Sequence, residues 1–230
     1  YTGNGGTQAL TGVGFAPDFF WNKNRTGTYQ HMLYDTVRGV TKYLVSNDTD
    51  AEATDVNSLT SFDSDGVTLG SAGSSNATGV TSVAWNWKGG GTAASNTDGT
   101  ITSSVSANPT AGFSVLTYTG TGSNATVGHG LSSAPAMVIV KGRTASGSGH
   151  SDYWFVYAEP MTVTNVLLLD TTGAAYTGGS AVWNSTAPTS SVFSIDSDTT
   201  TNESGRAYVA YCFSNIEGYS KVGSYTGNGN

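Results

Sequence analysis

Few side chains in this sequence have a type and spacing that could do chemistry. Trp21, Lys23 and Arg25 alternate, so an extended backbone sets all three on one face. An aromatic plane beside two cations suits a sugar ring or an anionic group. The same residues also fit a core position at Trp21 with Lys23 and Arg25 snorkelling from the strand end. Asp35 and Arg38 lie three apart and read first as a local ion pair, then as a ligand site. Asp63-Ser64-Asp65-Gly66 places alternate carboxylates where both could face one hard cation. A solvated turn fits the word equally, because the further oxygen ligands and distal Glu of a calcium loop are missing. His31, His129 and His150 are far apart and read as surface or loop residues, not as a triad or zinc set. Cys212 alternates with Tyr211 and Phe213 and reads as a packing thiol. No zinc-protease, nucleophile-elbow, phosphate-loop or dinucleotide word is present. A glycosidase needs two facing carboxylates. Glu occurs only at 52, 159, 203 and 217, none of them in a strand with its repeat partner, so the expectation is a protein that is not an enzyme and carries no cofactor.

Composition narrows the partners. Charged residues are 11% of the chain, against about 25% in an average soluble protein. The net charge is −7 with nine Lys and Arg, so the electrostatic term that drives nucleic-acid binding is missing. The longest apolar runs are about five residues, near Met137–Val140 and Val166–Leu169, too short to span a membrane as a helix. One Cys allows no intrachain disulfide. Ser and Thr make up about a quarter of the chain, with 31 Gly and 25 aromatic residues, so strands around an aromatic core are expected rather than disorder. Sequons stand at Asn24, Asn47, Asn76, Asn124, Asn184 and Asn202, and matter only on a glycosylating route.

The stretches that would position these groups occur twice. Tyr1-Thr2-Gly3-Asn4-Gly5 returns as Tyr118-Thr119-Gly120-Thr121-Gly122 and as Tyr225-Thr226-Gly227-Asn228-Gly229. Gly14–Arg25 matches Ser132–Arg143 at an offset of 118, which sets Pro17 on Pro135 and Lys23 on Lys141. Tyr34 falls on Tyr157 at an offset of 123; Asn76–Gly79 falls on Asn202–Gly205, and Val83–Trp87 on Val209–Phe213, at 126. Copy one carries 19 extra residues between Lys88 and Tyr118. The reading is two modules, 1–117 and 118–224, with 225–230 opening a third, as in a segment of a longer polypeptide.

Val83, Trp85 and Trp87 share one face of an alternating strand, and Val209, Tyr211 and Phe213 repeat it. Pro17, Trp85, Trp87, Pro135, Tyr211 and Phe213 are the expected structural core. Phe19–Lys23 and Met137–Lys141, apolar on both faces, are expected to be central strands. Gly112–Tyr118 and Tyr219–Tyr225 also read as strands, and His31–Tyr43 is the one segment open to a short helix. Short strands between Gly-rich turns give an all-β fold: two tandem antiparallel β-sandwich modules, jelly-roll-like, from an internal duplication. The strand ahead of each Tyr-Thr-Gly is absent ahead of Tyr1, so a neighbouring module or chain is expected to supply it.

The words Gly14–Arg25, Leu33–Gly39, Ser61–Gly70 and Val83–Lys88 together resemble a tandem repeat module of tail-fibre and virion surface proteins of tailed, notably marine, bacteriophages. Asn22 departs from the Ile or Val common there, and the second copy has Ala158-Glu159-Pro160-Met161 in place of Asp-Thr-Val-Arg-Gly. The resemblance implies a non-enzymatic structural role at the virion surface or outside a cell, in a fibre or oligomer. The implied partners are copies of the chain or adjacent modules, with a host surface glycan as the adhesive partner. A carbohydrate-binding module and a subunit of a cellular extracellular filament are the alternatives.

Overall fold

The computed structural model describes residues 1–146 and 152–229. His150 lies outside them. The first half contains β1 (Gln8–Leu10), β2 (Phe19–Asn24), β3 (His31–Asp35), β4 (Lys42–Val45), β5 (Ala53–Thr54), β6 (Leu59–Asp63), β7 (Gly66–Leu69), α1 (Gly73–Asn76) and β8 (Ser82–Trp87). A connecting stretch forms β9 (Ala94–Asn96), β10 (Ser103–Asn108) and β11 (Phe113–Thr119). The second half contains β12 (Ala125–Gly128), β13 (Met137–Gly142), β14 (Phe155–Ala158), β15 (Asn165–Leu168), β16 (Tyr176–Thr177), α2 (Gly179–Trp183), β17 (Val192–Ile195), α3 (Thr199–Asn202) and β18 (Ala207–Phe213). Every ladder between these strands is antiparallel.

The two halves make the same pairings. The first has a sheet of order β5-β4-β3-β2-β8; the second has β16-β15-β14-β13-β18, extended on the β18 side by β11-β10-β9. Phe19 sits opposite Trp87 in one and Met137 opposite Phe213 in the other, as the sequence offsets require. β1 pairs with β7 as β12 pairs with β17. The halves differ where β6 completes the small first sheet, because α2 packs on β17 and β15 instead.

Alternation gives each central sheet two apolar faces, so the molecule is four layers deep. Phe20, Met32 and Tyr34 pack under the small sheet with Leu59, Val67 and Leu69. Val138, Val140 and Tyr157 pack on the far side of the second sheet with Tyr118, Phe193 and Ile195. The opposite faces meet each other, so the halves share a third interior. Each buried Phe or Leu contributes about 1.5–3 kcal/mol.

The Tyr-Thr-Gly-x-Gly word has a mechanical reason. A Cβ on Gly3 or Gly120 would lie 2.3 Å from the carbonyl oxygen of Ala77 or Glu203. Gly5 and Gly122 both hold φ of +70°, the left-handed region. Around that turn, Asn76 Oδ1 accepts from the Asn4 N–H (3.0 Å) while its amide donates to the carbonyls of Gly6 and Gly70. Asn202 repeats this with Thr121, Ser123 and Asp196. Tyr1 and Tyr118 donate their hydroxyls to the carbonyls of Ser75 and Thr201.

Several sequence expectations need correction. His31–Tyr43 is no helix but β3, a turn and the start of β4; His31, Met32 and Leu33 pair with β2, and only Leu33 and Leu44 of that region reach the shared interior. Tyr219–Tyr225 forms no strand: its one ladder contact is the bridge between Ile216 and Ser220. The boundary at 117/118 falls inside β11, and the extra residues of copy one build β9, β10 and part of β11 into the second sheet. Pro17, Pro135 and Tyr211 are buried, and Trp87 and Phe213 are half-buried, but Trp85 is 45% exposed.

Asn76→Ala and Asn202→Ala should each cost about 2–4 kcal/mol, because the change strands several buried backbone groups. Urea unfolding should show the two losses to be similar, each well above that of the exposed Asn47→Ala.

Candidate functional site: the seam between the halves

The densest chemistry lies where the two central sheets meet. Phe19, Leu33 and Leu44 of the first half face Ile139, Val156, Val209 and Tyr211 of the second, with Phe113 and Val115 of β11. Phe19 and Ile139 occupy inward positions of corresponding strands, β2 and β13, so corresponding faces are in contact. Phe19 stacks on Tyr211 at 4.4 Å between ring centroids, and Trp87 meets Phe213 edge-on at 5.9 Å.

A polar network crosses this apolar seam. Asp35 and Arg38 are both buried. Arg38 Nε donates to Asp35 Oδ2 at 2.5 Å, and its backbone N–H donates to Oδ1 at 2.8 Å. Tyr211, from the other half, donates its hydroxyl to Asp35 Oδ2 at 2.8 Å. Arg38 also reaches the Leu33 carbonyl (3.0 Å) and Glu52 (3.3 Å). Arg143, again from the other half, clamps Glu52 with two bonds of 2.8 and 3.0 Å. Burial would raise the Glu52 carboxyl, but the Arg143 and Arg38 guanidinium groups hold it below its ordinary value. Burial also raises the Tyr211 hydroxyl well above its ordinary value, so it stays a neutral donor.

Two more side chains of the second half grip the segment between β4 and β5. Trp154 Nε1 donates to the carbonyls of Val45 (2.9 Å) and Asp48 (3.2 Å). Lys141 Nζ donates to the Thr49 carbonyl at 3.0 Å. Lys141 is fully buried, which corrects the snorkelling expectation at this position. Burial lowers its ammonium to about 8, with Asp152, Asp170 and Asp50 opposing the fall and Arg206 adding to it.

The sequence candidates separate rather than converge. Trp21 lines an apolar cleft of about 520 Å³ with Trp87, Met137 and Phe213. Arg25 is exposed and lines a different groove, of about 650 Å³, with Phe20 on the other face of the sheet. Lys23 Nζ donates to the carbonyls of Asn24 and Gly27. Asp65 accepts from the N–H groups of Gly12 and Gly14, which holds its carboxyl below the ordinary value. Asp63 accepts from the hydroxyls of Ser61 and Thr68. Each carboxylate has its own internal donors, and among the described residues no three His, Cys, Asp or Glu group to hold a metal. Only Asp35 and Arg38, of the five ligand candidates, belong to one site, and that site is the seam.

His129 is buried, not on the surface. Its Nδ1 accepts from the Leu131 N–H (3.1 Å), so Nε2 carries the proton and donates to the Thr189 carbonyl (3.1 Å). Burial lowers its pKa. Cys212 is buried, its thiol pushed up by burial to about 12. Asn24, Asn76 and Asn202 are buried, so three of the six sequons are closed to glycosylation in the folded chain. Glu52, Arg143, Trp154 and Lys141 went unrecognised in the sequence as one network. The one available signal was Arg25 aligning with Arg143, because their equivalence concealed different partners.

A family model matches residues 1–230, the whole chain. The protein therefore belongs to the family DUF7483, described as a domain of unknown function, and both halves lie inside that single match. No curated protein and no solved structure matches the chain.

Removing one partner of the buried pair leaves the other uncompensated. Arg38→Met should cost about 3–5 kcal/mol in chemical denaturation, and Asp35→Asn with Arg38→Met together less than their sum. Lys141 carries its proton in the unfolded chain up to about 10.4 but sheds it in the folded chain near 8. Stability contributed by this group therefore rises with pH between those values. Lys141→Met should flatten that rise, read as the wild-type minus variant melting temperature across pH 7–10.

Proposed function

With membership of the whole chain in that family as premise, we propose that it is a non-enzymatic structural module, built to be one unit of an extended surface assembly. A bacteriophage tail fibre or virion appendage is the assembly that the sequence resemblance favours. The observation that carries the reading is the repeated hydrogen-bond frame around Asn76 and Asn202, in two halves locked face to face. In this reading the halves descend from one duplicated module, and the buried charges serve the seam rather than a reaction. Low charge, a Ser- and Thr-rich surface and exposed sheet edges suit packing against further copies or adjacent modules. Its place is the virion surface or another extracellular setting.

A second reading, host adhesion through glycans, is favoured by Trp85, 45% exposed, with Trp21 edge-on to it at 6.0 Å. An exposed aromatic is what stacking on a sugar ring requires. The two roles are compatible on one fibre.

Negative-stain images of the full-length protein carrying this chain should show elongated or polymeric particles. Compact monomers throughout would contradict the structural reading. Trp fluorescence titrated with host polysaccharide should change in the wild type and not in Trp85→Ala. An unchanged wild-type signal would remove adhesion through this face.

A further inference from the structure

The two central sheets end differently at corresponding edges. In the second half, β18 is paired on both sides, by β13 and by β11. In the first half, β8 is paired by β2 alone. Tyr1 and Thr2 begin the missing neighbour. Tyr1 exchanges both backbone bonds with Ser82 (2.8 and 3.0 Å), as Tyr118 sits opposite Tyr208, and Thr2 bridges to Thr81. Among the described residues no strand continues that pairing along Val83–Trp87.

Three observations mark this edge as an acceptor. Backbone bonding alternates along an antiparallel strand. Ser82 bonds outward, while Thr81 and Trp87 accept from the N–H groups of Arg25 and Asp18 on the β2 side. Ala84 and Asn86 therefore present their N–H and C=O groups outward, without a strand to take them. Next, the Asn86 side-chain oxygen is buried with no partner. Its counterpart Cys212 faces Ser114 of β11 and is hydrogen-bonded to it. Finally, Trp85 is 45% exposed while its counterpart Tyr211 is 1% exposed. Beside the edge runs the groove of about 650 Å³ lined by Phe20, Ala84 and Asn86.

The chain also carries an unpartnered strand of the matching kind. Tyr225-Thr226-Gly227-Asn228-Gly229 is identical to Tyr1-Thr2-Gly3-Asn4-Gly5. Tyr225 is 94% exposed, although Tyr118 at the same place in the word is 4% exposed. Gly229 holds φ of +77°, close to Gly5 and Gly122 at +70°. We infer that Ser220–Gly229 of a second copy of this chain inserts along β8, its Tyr225–Gly229 replacing Tyr1–Gly5 and its Ser220–Ser224 filling the edge of Val83–Trp87.

The register follows from the word. With Tyr225 opposite Ser82, Gly223 faces Ala84, Val222 faces Trp85 and Lys221 faces Asn86. Val222 then covers Trp85 as Val115 covers Tyr211. Lys221 supplies a donor to the partnerless Asn86 oxygen, at the place where Ser114 serves Cys212. Arg25 lies at the far end of the groove, about 13 Å away along four strand residues. The exchanged word returns every contact it displaces, so the added Ser220–Ser224 ladder decides the balance. This is donor-strand exchange, a form of domain swapping. It rests on the self-assembling reading given above and names the surface and the segment.

Two variants separate donor from acceptor. Ending the chain at Tyr219 removes the donor. Ala84→Pro removes an outward N–H at a sheet edge, where proline is tolerated, and leaves the β2 ladder intact. Circular dichroism and melting confirm that each folds. Sedimentation and light scattering up to about 1 mM, the range where small interfaces dissociate, should show wild-type mass rising above 23.6 kDa with concentration. Each variant alone should stay at the monomer mass, and the two mixed should form a 1:1 complex of about twice that mass. If proline unfolds the chain, the synthetic peptide Ser220–Asn230 should block wild-type association instead. Association that persists in both variants keeps self-assembly and overturns this edge as its site. A wild-type chain that stays monomeric throughout overturns the proposal, with the edge left to a strand of another origin.

Discussion

A β-sheet with two apolar faces must be covered twice, and that constraint organises this molecule. Phe19 and Phe20, adjacent in β2, point to opposite sides and are both buried. No single partner layer can cover both. The small sheet takes the Phe20 side, and the other half of the chain takes the Phe19 side. The second sheet has the same requirement and meets it with β12, β17 and α2 on its far side. Two sandwiches are thereby fused into a four-layer unit, and the seam is a core in its own right.

Within that seam the two halves are not interchangeable. Asp35 has Ala158 at the corresponding register position. The buried Asp35–Arg38 pair therefore exists once, and the opposing sheet supplies Tyr211 rather than a second pair. Lys23 and Lys141 share a place in the pattern but not a fate. One ends among carbonyls near the surface, while the other is sealed against the Thr49 carbonyl. An apolar seam could settle in several registers, whereas each of these directed bonds is satisfied in one. We assign the polar network the role of fixing that register rather than adding net stability, since buried ion pairs are poor net stabilisers.

Much of the fold was legible in the sequence. Alternation located β2, β8, β13 and β18, and the offsets gave their register in advance. The repeated Tyr-Thr-Gly-x-Gly word marked a turn that glycine alone can make. The rest depended on long-range packing. Trp85 and Tyr211 have the same local pattern, and only the presence or absence of a neighbouring strand separates exposed from buried. Residues 31–43 were ambiguous because apolar residues there recur at spacings compatible with either period. Tyr219–Tyr225 has a strand sequence but no ladder partner in the folded chain. As for the site, Asp35 and Arg38 were visible as a pair by spacing. Glu52, Arg143, Trp154 and Lys141 join them from distant positions, which no local spacing encodes.

Native-state hydrogen exchange against urea tests the shared interior most directly. If each central sheet needs the other half as its second cover, the core amides of β2 and β13 should exchange through one common global opening. Their apparent opening free energies should then converge to the same value and the same urea dependence. Two separate isotherms, one for each half, would show that the halves fold alone and would contradict the account.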